Sequence, residues 1–172
     1  IRGRSGGVMQ SLDFDLEIGG WRGDGYVVVA RSLGQDRRGT LRLNVKDASF
    51  VLQLMAMENA VLRTASKTRR LDAPEATGVR AFGQRLFEAL FSSGMLALYE
   101  KTRQTAEQTG RTVRLQLRVG PQELSALPWE FLYDARRDRY LCLDGNTPLI
   151  RYISSDVRLD PLEVTPPLRV LG

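Results

Sequence analysis

Regular alternation of apolar and polar residues predicts strands in the first quarter of the chain. Residues 12–18 alternate without interruption, as a strand with one buried face does. The β-branched run at 26–33 and a second alternation at 41–45 predict two more strands, and the glycine-rich segments 19–25 and 34–39 are predicted to be turns. Three strands with two short connections predict an antiparallel meander. The buried face of the first strand is predicted to comprise Leu12, Phe14, Leu16 and Ile18.

The apolar spacing becomes helical after Asp47, which we predict to be an N-cap. One helix is predicted over residues 50–62, and two more between residues 79 and 110. The last of these is expected to end at Gly110, because glycine readily adopts the left-handed conformation that closes many helices. The buried stripe of the first helix is predicted to comprise Phe50, Leu54, Met57 and Val61.

The last third of the chain predicts a second small sheet. Residues 113–119 alternate cleanly, and the segments 140–143 and 149–153 are predicted to be strands that flank an Asp-Gly-Asn-Thr hairpin loop. Pro121 and Pro128 are each expected to open a short helical turn.

We therefore predict a mixed α/β (α+β) fold organised in successive segments. The polar, basic segment that contains Pro74 is predicted to be a loop and the boundary between an N-terminal β unit and the rest. The predicted segments are a flexible N-terminus at 1–10, a β meander plus helix at 11–64, the loop at 65–78, a helical pair with a small sheet at 79–160, and a linker with the start of another strand at 161–172.

Composition excludes several kinds of catalytic chemistry. The chain has 172 residues with no His and one Cys, so it cannot supply a Cys–His or Ser–His pair, a disulfide framework, or a zinc site of Cys and His. We predict no cofactor and no enzymatic activity for this chain alone. An enzyme with unrecognised chemistry would require a pocket lined by acids or by one of the three lysines. The single thiol, Cys142, is predicted to be buried and unreactive in a cytoplasmic protein.

Charge and hydropathy argue against two classes of partner. The formal charge is +5, and Arg42, Arg114 and Arg118 were candidates for a basic face that binds nucleic acid. Acidic residues are interleaved with these arginines and no nucleic-acid-binding signature is present, so we predict no nucleic-acid partner. No run approaches the roughly 18 apolar residues of a membrane span, so we predict no membrane partner.

A family resemblance rests on the sequence from residue 81 to residue 171. It is carried by the block Glu123-Leu-Ser-Ala-Leu-Pro-Trp-Glu-Phe-Leu-Tyr-Asp134, by Thr147-Pro-Leu-Ile-Arg-Tyr152 downstream, and by Pro166-Pro-Leu-Arg-Val-Leu171. In this order the motifs resemble the N-terminal portion of a CHAT domain, a family of bacterial caspase-like and separase-like cysteine peptidases.

The resemblance implies a non-catalytic half that precedes a caspase-like half with a His–Cys dyad. The dyad would lie beyond residue 172, and Cys142 does not match the nucleophile motif. The chain begins without Met and stops inside an apolar run, so we expect a piece of a longer polypeptide. The expected role is to support and regulate the catalytic half of a peptidase that acts in bacterial defence, signalling or cell death. Its expected partners are that half and either a protein substrate or a sensor domain.

The resemblance also directs attention to residues that would join the two halves. Trp129 and Glu130 have a structural interpretation, a buried ring at a proline-opened turn, and a functional one, contact with the catalytic half. Arg151 is interpreted as part of an ordinary ion pair or of a solvated strand edge, in preference to a site for a substrate carboxylate. The alternative function is an independent protein-interaction or sensor module. The interface and structural candidates are Pro128, Trp129, Glu130, Arg151, Tyr152, Leu168 and Val170.

Overall fold

Seven strands, four α-helices and two 3-10 turns make up the mixed α+β fold of the computed structural model, which describes residues 10–65 and 73–152. The strands are β1 (Ser11–Arg22), β2 (Gly25–Ser32), β3 (Gln35–Leu41), β4 (Thr112–Val119), β5 (Tyr133–Asp134), β6 (Arg139–Tyr140) and β7 (Leu149–Tyr152). The helices are α1 (Ala48–Ala65), α2 (Ala73–Leu90), α3 (Ser93–Gln108) and α4 (Gln122–Ser125), and the 3-10 turns are Trp129–Phe131 and Leu141–Leu143.

The main sheet has five strands in the order β3-β2-β1-β4-β7, and β5 and β6 form a separate two-stranded sheet. The first three strands are the antiparallel meander that the sequence predicted. β4 lies parallel to β1 on the other side of the meander, and β7 lies parallel to β4. The chain between β3 and β4 contains the three long helices, which supply the length that a crossover to a parallel strand requires.

The hydrophobic core lies between one face of the main sheet and the helices. α3 packs against β1, β2, β3 and β4, while α1 packs against α2. At the centre, the ring of Phe14 on β1 lies 5.4 Å from the ring of Tyr99 on α3, and Phe91 lies 5.1 Å from Tyr99. The alternation of β1 is confirmed, because Phe14, Leu16 and Ile18 are all buried.

The β3 region was predicted incorrectly. The turn after β2 comprises Leu33 and Gly34, both with positive φ, so residues 35–41 are strand and the predicted strand at 41–45 is wrong. A two-residue turn with positive φ matches the twist of the flanking strands. The charged residues 36–38 suit β3 because an edge strand tolerates charge.

The first hairpin is also longer than predicted. β1 continues through the predicted turn at 19–25 as far as Arg22, with a register shift between Ile18 and Trp21. The turn itself is confined to Gly23 and Asp24.

The helices confirm the apolar spacing and correct one boundary. Asp47 caps α1, since its Oδ1 accepts a hydrogen bond from the backbone N–H of Phe50 at 3.0 Å. The predicted loop at 65–78 is wrong where it overlaps α1 at Ala65 and α2 from Ala73 onward, and its residues 66–72 lie outside the described part. Pro74 is tolerated because it lies in the first turn of a helix. Strands from both sides of this segment belong to one sheet.

The predicted hairpin at 140–153 does not form. Leu141–Leu143 is a 3-10 turn, and β7 pairs with β4 instead of with the 140–143 segment. The backbone N–H groups of Val113 and Leu115 donate to the carbonyl oxygens of Asn146 and Pro148 at 2.8 and 2.9 Å, which draws the loop before β7 alongside β4. Residues 113–119 therefore belong to the main sheet, and the second small sheet is β5 with β6.

Some predictions fall outside the described residues. These are the flexible N-terminus up to residue 9, the linker at 161–167 and the strand that would contain Leu168 and Val170. Across residues 10–65 and 73–152, no helix is long and apolar enough to cross a membrane. The same residues contain no group of three or more His, Cys, Asp or Glu side chains that could hold a metal ion.

Candidate functional site

The Pro-Trp-Glu block is fixed firmly to the helical layer. Pro128 precedes the 3-10 turn Trp129–Phe131, and the Trp129 side chain is fully buried, with its Nε1–H donating to the carbonyl oxygen of Leu124 at 2.8 Å. On α2, a Cβ atom added to Gly83 would lie 2.0 Å from the carbonyl oxygen of Phe131. The structural interpretation of Trp129 is thus confirmed, and the turn packs directly against the helix backbone.

An ion pair joins Glu130, in the 3-10 turn Trp129–Phe131, to Arg151 on β7. Nη1 of Arg151 on β7 lies 3.3 Å from Oε1 of Glu130. The Arg151 side chain is about a quarter exposed and that of Glu130 about half exposed. This confirms the ion-pair interpretation of Arg151. A pair this accessible contributes little to stability, typically about 0–1 kcal/mol.

β7 is a short edge strand whose outer side has no partner among the described residues. In the register Leu115↔Leu149, the N–H of Leu115 bonds to the carbonyl of Pro148. Parallel pairing then directs the backbone groups of Ile150 and Tyr152 toward β4 and those of Leu149 and Arg151 away from the sheet. The outward groups can pair with an additional strand.

The side chains of Ile150 and Tyr152 alternate with those of Leu149 and Arg151 and point to the open face, by which we mean the face of the main sheet opposite the helices. Tyr152 is 41% exposed and Ile150 36% exposed. The guanidinium of Arg118 on β4 lies 5.0 Å from the centroid of the Tyr152 ring, within the range of a cation–π contact. Parallel strands usually lie in sheets that are covered on both faces, so exposed apolar groups here are unusual.

We call the surface around β7 the edge patch, and it includes side chains on both faces of this strand. It combines an ion pair, two accessible apolar side chains and an arginine–tyrosine stack. The edge patch comprises Arg118, Glu130, Ile150, Arg151 and Tyr152.

Sequence reasoning found part of the edge patch. Glu130, Arg151 and Tyr152 were candidates, and the structure brings the first two into contact. Pro128 and Trp129 immediately precede Glu130 in the chain, while Leu168 and Val170 are outside the described residues. Ile150 was missed, although its alternation with Arg151 placed it on the opposite side of the strand. Arg118 was noted only as part of a basic face.

The basic face considered for nucleic acid is not a continuous patch. Arg114 makes two hydrogen bonds to Asp13, and Arg42 lies beyond β3 and pairs with Asp24. Hydrogen bonding from Arg114 lowers the pKa of Asp13, so this carboxylate stays charged beside the arginine. Asp24 and Asp13 therefore neutralise Arg42 and Arg114, while Arg118 stacks on the Tyr152 ring.

Cys142 is exposed, which corrects the prediction of a buried thiol. The turn Leu141–Leu143 buries Leu141 and turns Cys142 and Leu143 outward, since a 3-10 turn does not alternate as a strand does. Partial burial, and then the negative charge of Glu130, raise the pKa of the Cys142 thiol. A raised pKa disfavours the nucleophilic thiolate, so these surroundings do not activate Cys142 for catalysis.

The chain matches no protein-family model and no curated protein. The resemblance of residues 81–171 to CHAT domains therefore remains a hypothesis based on motifs.

Proposed function

We propose that this chain is the non-catalytic N-terminal half of a CHAT-type cysteine peptidase and that it supports a caspase-like catalytic half. The parent protein would hydrolyse peptide bonds of a protein partner in the bacterial cytoplasm, with its His–Cys dyad supplied by the catalytic half. The observation that carries the proposal is the outer side of β7, which has no partner strand among the described residues and lies close to Glu130 of the Pro-Trp-Glu block.

The edge patch supports a docking role because it offers three kinds of contact on one strand. The outward backbone groups of Leu149 and Arg151 can hydrogen-bond a further strand. Ile150 and Tyr152 supply apolar area, and tyrosine and arginine are enriched among residues that dominate binding energy at interfaces. The buried Trp129 ring, which is hydrogen-bonded to Leu124, anchors the turn that carries Glu130.

The catalytic groups that this chain offers also favour a non-catalytic role. The sequence has no His to act as a general base, and the one thiol has a raised pKa. The His of a His–Cys dyad in the parent protein must therefore come from residues that this chain does not contain.

The first test is the intact mass of the native polypeptide together with the sequence that encodes it. The expected result is a continuation of about 100–200 residues, the size of one further domain, with a His and a later Cys. A native chain that stops at Gly172 would contradict the proposal.

The second test reverses a charge in the edge patch of the native polypeptide. Arg151→Glu places like charges opposite Glu130 and is expected to lower peptidase activity by loosening the docked half. The control is Arg42→Glu, which makes the same charge change in a more exposed pair with Asp24 outside the edge patch and is expected to leave activity unchanged. Equal losses in both variants would mean that the edge patch has no special role.

The alternative, an independent interaction or sensor module, is favoured by one different observation. α1 exposes Leu52, Met55 and Leu62, each more than half accessible, on a helix that packs only one side against α2. Exposed apolar stripes of this kind mark protein-binding surfaces. Under this alternative, Leu52→Lys would abolish binding of a native partner, whereas Arg151→Glu would not.

A further inference from the structure

α1 is apolar on both of its sides, which is unusual for a helix at the surface of a protein. On the inner side, Phe50 is buried and its ring lies 5.5 Å from the ring of Phe82 on α2. The outer side exposes Leu52, Met55 and Leu62, which are 66%, 55% and 69% accessible. A surface helix normally turns charged and polar residues outward. The outer side of α1 therefore lacks the composition of a face that remains in contact with water.

The outward residues of α1 follow the seven-residue repeat of a coiled coil. Leu52 and Asn59 occupy the a positions of two successive heptads, and Met55 and Leu62 occupy the d positions. Ala48 is the d position one heptad earlier. Residues at a and d form the line along which two helices pack side by side. We call these five residues the α1 seam, and their spacing fits a second helix that lies nearly along the axis of α1.

The α1 seam is accessible to another molecule because it points away from the core. Successive residues of an α-helix are about 100° apart, so Asn59 lies about 180° around the helix from the buried Phe50. A second helix can therefore reach the seam without displacing α2. Packing against α2 also holds α1 in its helical form, so a partner does not have to supply the free energy of nucleating the helix.

Asn59 indicates that the second helix comes from another copy of this chain. A single Asn at an a position lowers the stability of a coiled coil but specifies its register and the number of helices. In a symmetric parallel pair, each a residue faces its own equivalent, so the two Asn59 amides can donate to and accept from each other. An antiparallel pair would set Asn59 against an apolar d residue and leave its amide unsatisfied, which is costly.

The positions that flank the seam are also complementary between two copies. In a parallel pair, a g residue lies beside the e residue that comes five positions later in the other helix. The sequence places Val51 and Glu58 at g positions, and Ala56 and Arg63 at the e positions five residues after them. Two copies therefore match an acidic with a basic residue type on each side of the seam, and two small apolar residues one heptad earlier.

We propose that the α1 seam is the interface of a symmetric, parallel homodimer of this chain. The interface is separate from the edge patch and does not depend on the peptidase proposal. Because each copy contributes one helix of 18 residues, the buried area is expected to be at the low end for specific interfaces, below about 1,200 Å² in total. The dimer is therefore weak and reversible, and it holds two copies side by side in the same orientation.

The test is sedimentation equilibrium of the 172-residue chain at several concentrations between about 5 and 500 μM. We expect a reversible equilibrium between monomer and dimer, with a dissociation constant of about 100 μM or less. A chain that stays monomeric over this range, or that assembles beyond a dimer, would overturn the proposal. A monomer would also assign the exposed side of α1 to a different partner.

Variants show whether the dimer forms through the α1 seam. Leu52→Gln is expected to weaken dimerisation about tenfold or more, since it removes apolar area from the seam. The matched control is Leu143→Gln, the same change at a leucine that is 76% exposed outside α1, and it is expected to leave the dissociation constant unchanged. Neither change removes a buried side chain. Equal effects of the two variants would overturn the assignment of the interface.

Asn59→Leu tests the pairing of identical positions. It is expected to tighten association about tenfold or more and to add larger oligomers, because an apolar a layer replaces the polar pair that limits the number of helices. Association that does not tighten would mean that the two Asn59 side chains do not face each other, and would overturn the symmetric arrangement.

A cross-link tests the parallel orientation. Leu62→Cys is made together with Cys142→Ser, and oxidised glutathione accepts the two electrons that disulfide formation releases. A parallel pair brings the two new thiols together at one d layer, and we expect a disulfide-linked dimer. An antiparallel pair would place residue 62 opposite residue 52 and hold the thiols about 15 Å apart, which is beyond the reach of a disulfide. A dimer that does not cross-link would therefore overturn the parallel arrangement.

Discussion

The two tryptophans occupy opposite environments. Trp129 is fully buried and its indole N–H is satisfied by the carbonyl of Leu124 at 2.8 Å. Trp21 is 54% exposed at the end of β1, where its ring makes an edge-to-face contact with Tyr26 at 5.0 Å. The same residue type thus supports the core in one place and lies on the surface in the other.

Removal of these two rings has very different expected costs. Trp129→Ala is expected to lower the free energy of unfolding by about 3–5 kcal/mol, since it leaves a large cavity and an unpaired carbonyl. Trp21→Ala is the matched control and is expected to cost about 1 kcal/mol or less. Urea unfolding followed by circular dichroism measures both. A Trp129 variant as stable as the Trp21 variant would contradict the packing described here.

The Arg103–Asp144 pair is the most buried ion pair in the described part of the chain. Burial alone would raise the pKa of Asp144, but the backbone N–H of Asn146 and the guanidinium of Arg103 outweigh it and lower the pKa below its usual value. A carboxyl group with a depressed pKa stabilises the folded state above its unfolded pKa of about 3.9, and this stabilisation is lost as the pH falls through the folded value.

Asp144→Asn tests this pair directly. The variant is expected to lose about 3 kcal/mol at pH 7, because the buried guanidinium of Arg103 loses its best-buried counter-charge. The difference from the wild type is expected to shrink as the pH falls below about 4, because the unfolded wild-type chain then binds a proton at Asp144 before the folded protein does, and to vanish below the lowered folded pKa. Asp13→Asn removes an exposed partner of Arg114 and is expected to cost less than about 1 kcal/mol. Thermal or urea unfolding at several pH values measures all three proteins.

Local sequence patterns predicted the environment of individual residues where one rule dominated. A proline followed by Trp and Glu indicated a buried ring at a turn, and this is confirmed for Trp129. The prediction was wrong for Cys142, because its apparent alternation with Leu141 and Leu143 is produced by a 3-10 turn. The contact between Glu130 and Arg151 was not predictable, since it depends on a strand pairing that no local pattern encodes.

At the scale of elements, α2 lies against the turn Trp129–Phe131 with almost no space between the two backbones. Gly83 faces the turn Trp129–Phe131, with no room for a methyl group beside the carbonyl of Phe131. Gly78, one and a half turns earlier on the same helix, has nothing within 4 Å of where a Cβ would lie. Two glycines on one helix therefore have different roles.

Alanine at these two positions is expected to change stability in opposite directions. Gly83→Ala is expected to destabilise the fold by about 1–3 kcal/mol, because α2 or the turn must move to relieve the overlap. Gly78→Ala is expected to stabilise it by about 0.5–1 kcal/mol through the higher helix propensity of alanine. Chemical unfolding of both variants measures the contrast. Stabilisation by both would mean that α2 does not lie against the turn as described.

The elements that sequence analysis misplaced are those whose position depends on a partner strand. Charged residues of β3 are acceptable because β3 lies at an edge, and residues 149–152 became β7 by pairing with β4. By contrast, α1, α2, α3 and β4 were predicted well in type, since their apolar periodicity is a local property.

At the scale of the whole molecule, the sheet places its three inner strands, β2, β1 and β4, between partners on both sides. β3 and β7 lie at the edges of the described sheet. Amide exchange should therefore be slowest at the centre and faster at both edges, because opening an edge strand disrupts fewer contacts.

Within β7, exchange is expected to alternate along the strand. The amides of Ile150 and Tyr152 point toward β4 and should be protected, while those of Leu149 and Arg151 point outward and should exchange at rates near those of exposed loops. Hydrogen exchange measured by NMR on the 172-residue chain resolves this pattern. Protection of all four amides in this chain would mean that another segment already pairs with the edge, and the edge would then not be available for docking.

The same amides report on the proposed role of the chain in the native polypeptide. If a following half adds a strand to β7, the amides of Leu149 and Arg151 become protected there, while those of β3 keep their edge-like rates because β3 lies at the other side of the sheet. Protection at β3 alone would locate the partner at the wrong edge, and no change at either edge would favour docking through a surface such as α1. One experiment thus distinguishes a peptidase half that completes its sheet across the chain from an interaction module that binds through its helices.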